Sequence, residues 1–295
     1  MSIANGSLGV WAHIDSLSAQ EAVGFAATIE ELGYSALWIP EAVGRDPFTI
    51  IAYMAARTEK LVFATGIANI YARDPMAMKA LRMTMEELAP GRFVLGLGVS
   101  HEHFVSGVRG HDYSKPVTTM RNYLEAMEKA LYMGPEPAQE APIVIAALRQ
   151  NMLRLAAEKT HGAHPYLVTP AHTRMARELL GPKPWLCTEQ MILQQHDPSR
   201  AREIARQHLG IYLDLPNYQN SLLEQGFSDE DFIDGGSDRL VDEIVAWGDE
   251  THIRARIQAH FDAGASHVCV QAFRADGEAG PDIGLLRRLG PAGCG

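Results

Sequence analysis

The sequence predicts an α/β chain folded as a (β/α)8 TIM barrel, and three observations support this prediction. Eight short apolar runs alternate with amphipathic segments along the 295 residues, and such alternation implies a parallel sheet. Eight repeats in a chain of this length fit a closed barrel better than an open sheet. At four places an Asp or Thr directly precedes a proline that starts a helical pattern, which indicates repeated β-α joints.

The predicted elements follow one another with little interruption. The first helix runs from Ser18 to Gly33, because Ser18 and Glu21 form a capping-box pattern and apolar residues then recur at helical spacing. The predicted strands are residues 8–12, 36–39, 61–67, 93–99, 143–146, 162–168, 185–193 and 267–272. The four proline joints are Asp46-Pro47, Asp74-Pro75, Thr169-Pro170 and Asp197-Pro198, and later helices are predicted at 149–159, 239–247 and 251–262.

One segment departs from this rhythm. Residues 216–234 follow the seventh strand and its helix, and we interpret them as an insertion or lid. No linker, charge block or low-complexity stretch marks a boundary elsewhere, so we expect one domain covering residues 1–295.

Composition narrows the function. The formal net charge of -10 disfavours nucleic acid and anionic membranes as main partners. The three cysteines, Cys187, Cys269 and Cys294, have no metal-type spacing, and their odd number argues against a disulfide framework. No signal-peptide pattern or membrane-length apolar run occurs, so we expect a cytoplasmic protein without a membrane anchor.

Polar residues at the predicted strand ends are the candidates for chemistry, because barrel enzymes place their sites at the carboxyl ends of the strands. The unit from Leu61 to His103 shows this best, since both of its apolar runs end in glycine followed by polar groups. Across the chain the rule selects His13, Glu41, Asn69, His101, Glu102, His103, Thr169, His172 and Gln271. Glu41 and His101 are the first candidates for acid and base, and the alternative is that either is a solvated loop group.

Other interpretations of these motifs remain open at this point. His101 and His103 could ligate a metal, but no further ligand set is recognisable and ordinary loop histidines fit better, so no metal is expected. The Gly96-Leu97-Gly98 segment lacks the third glycine of a dinucleotide-binding loop. The segment from Thr169 to Arg174 could hold a phosphate at a helix N-terminus, or Thr169 could simply cap that helix.

Four blocks of sequence together resemble a known family. GYSALWIPEAVGRDPF, ATGIANIYARDP, PGRFVLGLGVSH and HPYLVTPAHTRMARELLG are similar to blocks of the luciferase-like monooxygenase superfamily, specifically its class of oxidoreductases that use the deazaflavin coenzyme F420. The resemblance implies a luciferase-like barrel with the cofactor at its C-terminal mouth. It also implies a non-prolyl cis peptide at Ala68-Asn69, in a bulge pressed against the cofactor ring.

The resemblance also implies roles for individual residues. The family's acid/base positions fall on Glu41 and His101, although better-known members carry Asp-His where this chain has Pro40-Glu41. The implied cofactor-binding residues are Gly66, Ala68, Asn69, Gly98 and Ser100 around the ring, and Thr169, His172, Thr173 and Arg174 at the phosphate. The implied substrate-binding residues are His13, Glu102 and His103.

The implied activity is transfer of a hydride between coenzyme F420 and a small organic substrate. The alternatives are an FMN-dependent monooxygenase of the same barrel and a flavin-binding protein without turnover. Members of the family often pair through helices beside the second and third strands, so a homodimer is expected.

Overall fold

Parallel strands form a closed barrel in the computed structural model, which describes residue 3 and residues 5–293. The strands are β1 Ser7–Trp11, β2 Ala36–Ile39, β3 Val62–Thr65, β4 Ala68–Asn69, β5 Phe93–Gly98, β6 Ile143–Ile145, β7 Gly162–Ala163, β8 Trp185–Leu193, β9 Val245–Trp247 and β10 His267–Phe273. Eight of them follow the order β1-β2-β3-β5-β6-β7-β8-β10, and pairing of β10 with both β8 and β1 closes the ring. The predicted (β/α)8 barrel is confirmed.

Helices surround this ring on its outer side. They are α1 Ala19–Glu31, α2 Pro47–Ala55, α3 Pro75–Leu88, α4 Pro116–Lys129, α5 Gln150–Lys159, α6 Pro170–Leu180, α7 Pro198–Leu213, α8 Pro216–Glu224, α9 Asp238–Ile244, α10 Glu250–Asp262 and α11 Ile283–Leu289. The four predicted proline joints are confirmed, because Asp46, Asp74, Thr169 and Asp197 each accept a hydrogen bond from a backbone N–H of the first helical turn. Within the described ranges, no helix has the length and apolar character needed to cross a membrane.

Several predicted boundaries differ from the observed ones. The helix predicted over 239–247 ends at Ile244, and Val245–Trp247 instead forms β9, which pairs with the end of β8. The predicted strand 162–168 is regular only over Gly162–Ala163, since the chain then turns into the mouth of the barrel. Segment 216–234 holds α8 and most of a 3-10 segment, Asp229–Gly235.

Two kinds of core support the barrel. The larger packs strand residues such as Leu37, Phe63 and Leu95 against the surrounding helices. The smaller fills the ring itself and contains Trp38 and Val94 among other side chains. Cys187 and Cys269 are buried there as free thiols, whereas Cys294 lies outside the described residues.

The ring interior also contains buried polar side chains. The indole Nε1 of Trp38 donates to Nε2 of His267 at 3.0 Å, and Nδ1 of His267 lies 2.9 Å from the hydroxyl of Ser7. Burial and the neighbouring His164 lower the pKa of His267 to about 3, so its imidazole is neutral at physiological pH. Both ring nitrogens of His267 thus have partners, as is usual for buried polar groups.

Glu30 of α1 fastens the start of β3. Its carboxylate accepts hydrogen bonds from the backbone N–H groups of 59–61, at 3.0 Å from Glu59 and 2.7 Å from Leu61. Burial opposes ionisation of Glu30, but these backbone bonds and the charge of Arg92 outweigh it and lower the pKa.

We expect Glu30→Ala to lower the free energy of unfolding by about 1 to 3 kcal/mol, because three N–H groups lose a charged acceptor. Glu31→Ala is the matched control, since Glu31 is exposed at the next position. Because the folded pKa of Glu30 is depressed, its stabilisation is present above the ordinary pKa of 4.5 and is lost as the pH falls through the folded value. Urea unfolding of the wild type and of both variants at pH 7 and pH 3 measures these free energies. An equal loss of unfolding free energy in Glu30→Ala and Glu31→Ala at pH 7 would contradict the prediction.

Candidate functional site

A cavity of about 920 Å³ opens at the C-terminal mouth of the barrel. Its walls come from the ends of β1, β2, β3, β5, β6 and β7 and from helices α7 and α8. Strand-end residues predicted for this position are present in the wall, namely His13, Glu41, Asn69 and His101. Four of the nine strand-end residues selected from the sequence therefore lie in the cavity wall.

One wall is the irregular stretch between β3 and β4. Gly66, Ile67 and Asn69 line the cavity, and the non-prolyl cis peptide is Gly66-Ile67. The predicted position of that peptide, Ala68-Asn69, is therefore wrong by two bonds. Ala68 was predicted to contact the cofactor, but it is fully buried, pairs with β5 and does not line the cavity.

Gly98 has an indirect part in this wall. It was predicted to contact the cofactor, but it does not line the cavity. A Cβ at Gly98 would lie 2.4 Å from Cδ1 of Ile67, so the glycine leaves room for the isoleucine side chain. Ile67 lines the cavity instead.

Glu41 connects the end of β2 to this wall. One oxygen of its carboxylate accepts a hydrogen bond from the backbone N–H of Asn69 at 2.8 Å, and the other pairs with Nη1 of Arg73 at 2.7 Å. Only 8% of the Glu41 side chain is exposed. Both oxygens have partners, and this arrangement suits positioning better than proton transfer.

His101 lies on another side of the cavity, directly after β5. Its ring centroid is 5.2 Å from that of Tyr218 on α8, and its Nδ1 is buried with no hydrogen-bond partner among residues 3 and 5–293. Burial lowers the pKa of His101 to about 4. Ser100 also lines the cavity, and its carbonyl accepts a hydrogen bond from the hydroxyl of Tyr113 at 2.9 Å.

Two predicted substrate-binding residues lie elsewhere. Glu102 and His103 are exposed and outside the cavity wall, where the chain enters a π-helical segment, His103–Val108, whose Phe104 and Val108 line the cavity instead. His13 does line the cavity, with its ring edge-on to Trp11 at 4.8 Å between centroids. Within the described part of the chain, no three His, Cys, Asp or Glu side chains are grouped to hold a metal.

The segment predicted to hold a phosphate does not line the large cavity. Thr169 caps α6 and donates to Oε1 of Gln225 at 2.9 Å, and it faces a separate pocket of about 300 Å³. Thr173 is hydrogen-bonded to His260, and Nε2 of His172 donates to the carbonyl of Leu148 at 2.6 Å. Arg174 is exposed on the outer surface of α6. The alternative interpretation, helix capping by Thr169, is the one observed.

A different helix N-terminus reaches the cavity. Helix α5 begins at Gln150 directly after the end of β6, and Arg149, Gln150 and Asn151 all line the wall. Arg149 at the N-cap makes no side-chain cap, so the first N–H groups of α5 remain available to an acceptor. The guanidinium of Arg149 pairs instead with Glu224 of α8 at 2.6 Å.

Aromatic side chains complete the wall, and sequence analysis did not select them. Trp11 ends β1, and Tyr166 follows β7, so the strand-end rule could have found both. Tyr212 and Tyr218 come from α7 and α8, for which no sequence motif pointed to a site. The hydroxyl of Tyr166 donates to Oε1 of Gln271 at 2.9 Å, and Gln271, which was selected from the sequence, does not itself line the cavity.

We expect the stability of the protein to rise with pH between about 4 and 6.5 partly because of His101. Its folded pKa is about 4 against an ordinary value of 6.5, so the unfolded chain binds more protons in this window. His101→Gln should therefore flatten the dependence by up to about 1.4 kcal/mol per pH unit. Denaturant unfolding at several pH values measures this, with His196→Gln, an exposed histidine, as the control. An unchanged slope in His101→Gln would contradict it.

Comparison with known proteins adds to this geometry. A protein of Mycobacterium tuberculosis named as a coenzyme F420-dependent oxidoreductase is 30% identical over 136 residues, 46% of this chain and 37% of that protein. The chain thus matches between about a third and a half of the length of its curated relatives.

Two solved structures share the fold over nearly the whole chain. An F420-dependent secondary alcohol dehydrogenase, solved with an F420-acetone adduct, has a TM-score of 0.76 at 14% identity and covers 99% of both chains. A Type II Baeyer-Villiger monooxygenase of Pseudomonas putida, solved with FMN, has a TM-score of 0.66 at 16% identity and covers 91% of this chain and 92% of its own. The family model described as luciferase-like monooxygenase matches residues 4–267. The chain therefore belongs to the luciferase-like monooxygenase family.

Proposed function

We propose that the protein is an oxidoreductase that transfers a hydride between coenzyme F420 and a small organic substrate. The observation that carries the proposal is the cavity at the barrel mouth, with the Gly66–Asn69 wall on one side and the neutral imidazole of His101 on another. Relatives named as F420-dependent enzymes, at the level of sequence and of fold, support the choice of cofactor.

The wall between β3 and β4 has features that suit a flat ring. Gly66 has no side chain, and a Cβ there would lie 2.8 Å from Nε1 of Trp11, so the backbone itself forms the surface. Asn69 is held by its N–H bond to Glu41. We infer that Gly66, Ile67 and Asn69 contact the face of the deazaflavin, with Glu41 as a positioning residue.

The phosphate of the cofactor needs a separate site. The N-terminus of α5 fits this group, because its uncapped N–H groups and positive dipole end lie at the cavity beside the cationic side chain of Arg149. We therefore assign the phosphate to Arg149, Gln150 and Asn151 rather than to the segment from Thr169 to Arg174.

Bound F420 would supply a ring carbon that accepts or gives up a hydride. When an alcohol is oxidised, its hydroxyl proton must leave as the hydride leaves carbon. His101 is suited to accept that proton, because its imidazole is neutral at physiological pH and its Nδ1 has no partner among the described residues. Returned to a carbonyl oxygen, the same proton completes the reverse reduction.

Helix α8 would help to exclude water from this site. Tyr218 packs against the ring of His101, and Glu224 at the other end of the helix pairs with Arg149. We propose that the predicted lid role of segment 216–234 belongs mainly to α8, which spans both the proton-transfer side and the phosphate side of the cavity.

An FMN-dependent monooxygenase is the second candidate. The fold match to the FMN-bound Pseudomonas putida enzyme favours it, and an FMN phosphate would suit the same helix terminus. A flavin-binding protein without turnover is the third.

Fluorescence titration with F420 and FMN side by side separates these candidates. We expect F420 to saturate one site per chain and to bind at least about tenfold more tightly than FMN, a difference of about 1.4 kcal/mol. Tighter binding of FMN would favour the monooxygenase, and binding of neither cofactor would overturn the proposal.

His101→Asn should lower kcat of hydride transfer by about 10²- to 10⁴-fold, the usual contribution of a general acid or base. Its Kd for F420 should change little, since His101 is assigned to the substrate proton. Glu41→Gln should instead weaken F420 binding, because the carboxylate that holds Asn69 and Arg73 is lost.

Stopped-flow measurement of F420 reduction or oxidation, with a fluorescence Kd for each variant, tests both assignments. His196→Asn is the exposed control and should leave both quantities unchanged. Full activity of His101→Asn would show that His101 does not transfer the substrate proton.

A further inference from the structure

His164 is a buried histidine at the inner wall of the cavity that the proposed mechanism does not use. It follows β7 directly, is 2% exposed, and its ring stacks on Trp38 with centroids 4.4 Å apart. It also lines the cavity. From the sequence, His164 was placed inside a strand over residues 162–168 and was not selected as a site residue.

The hydrogen bond of its Nδ1 fixes the tautomer of this imidazole. Nδ1 lies 2.7 Å from the backbone carbonyl oxygen of Cys187, and a carbonyl can only accept. Nδ1 must therefore carry the proton, which leaves Nε2 with a lone pair. Burial lowers the pKa of His164 to about 4, despite the opposing bond to Cys187, so the ring is neutral at physiological pH.

Nε2 has no hydrogen-bond partner within the described ranges, although the atom is buried. The polar groups around it are already used: Nε1 of Trp11 donates to the carbonyl of Gly66 at 2.9 Å, and Tyr166 bonds to Gln271. A Cβ at Gly66 would lie 3.3 Å from Nε2, so the absence of a side chain there keeps the nitrogen clear on that side.

A comparison within the same ring interior shows that burial alone does not cause this. His267 is equally buried, yet its Nε2 accepts a hydrogen bond from Trp38. Buried polar groups in native proteins are usually paired, so an unpaired acceptor in a cavity wall is a position where a bound molecule can supply the partner.

We propose that Nε2 of His164 accepts a hydrogen bond from a neutral donor, a hydroxyl or ring N–H, of the molecule bound at the inner wall of the cavity. A neutral acceptor fixed in this tautomer rejects a carboxylate at the same place, because two acceptors would face each other without a proton. This inference rests on the proposed function, since it assumes that the cavity binds a small molecule. The donor could belong to the cofactor ring or to the substrate, and the experiment separates these two sources.

The first measurement follows Nε2 directly by long-range ¹H–¹⁵N NMR on ¹⁵N-labelled protein. Phenol, fluorobenzene and benzoate are the probes, because they share a flat ring that suits the aromatic wall and differ in hydrogen-bonding character. Phenol should shift the Nε2 resonance of His164, fluorobenzene should not, and benzoate should bind more weakly than phenol. F420 and FMN are then added separately in the absence of phenol, and phenol is afterwards added to each cofactor-loaded sample.

The second measurement uses His164→Asn, whose amide N–H₂ can still donate to the Cys187 carbonyl while the acceptor at Nε2 is removed. Phenol should lose about two- to tenfold in affinity, the value of one neutral hydrogen bond, and fluorobenzene should lose almost nothing. His252→Asn, an exposed histidine on α10, is the matched control. Thermal unfolding of each variant shows that the fold is retained.

The outcomes distinguish this inference from the proposed function. An Nε2 shift with F420 or FMN alone assigns the donor to the cofactor ring, and a shift with phenol in the cofactor-loaded protein assigns it to the substrate side. A phenol shift without binding of either cofactor supports the acceptor role of His164 but overturns the proposed function.

Cofactor binding with no Nε2 shift by phenol or by either cofactor overturns the inference and leaves the proposed function standing. Equal losses of affinity for phenol and fluorobenzene in His164→Asn have the same meaning. No binding of phenol and none of either cofactor overturns both.

Discussion

The carboxylate of Glu41 is the interaction on which the candidate site depends. It joins the end of β2 to two positions further along the chain, the backbone N–H of Asn69 in β4 and the guanidinium of Arg73 ahead of α3. Arg73 in turn pairs with Asp46 at the start of α2 and accepts, through its carbonyl, a hydrogen bond from Tyr123 of α4 at 2.8 Å. The position of the Gly66–Asn69 wall therefore depends on one nearly buried ion pair.

Around this fixed wall the cavity combines aromatic surface with neutral acceptors. His101 and His164 are both kept uncharged by burial, and each has one ring nitrogen without a partner among the described residues. Because desolvation disfavours an imidazolium, the site can accept hydrogen bonds or a proton without holding a permanent charge. The helix terminus that we assign to an anion, that of α5, follows β6, whereas His101 follows β5 and His164 follows β7. Charge recognition and proton transfer are thus assigned to different segments.

Local rules predicted much of the fold. Each of the four Asp/Thr-Pro joints begins a helix, because capping and the fixed φ of proline act within a few residues. The strand-end rule likewise located Glu41, Asn69 and His101 at one mouth. It depends only on the parallel order of the strands, which the alternation of the sequence already implied.

The predictions that differ from the structure concern segments whose conformation or environment depends on tertiary contacts. Val245–Trp247 has an apolar pattern that continues a helix equally well, and pairing with the end of β8 makes it a strand. The hydroxyl of Thr169, predicted as part of a phosphate site, donates to Gln225 of the later insertion, a contact that no local sequence pattern indicates. The same holds for Tyr212 and Tyr218, which reach the cavity only because α7 and α8 fold back over the barrel mouth.

A crystal structure of the protein with bound F420 would locate both the ring and the phosphate of the cofactor. We expect the deazaflavin ring against Gly66, Ile67 and Asn69, with the phosphate at the N-terminus of α5 and the ion pair of Glu41 and Arg73 intact. A ring bound away from the Gly66–Asn69 wall, or a phosphate held at Thr169 and Arg174, would contradict it.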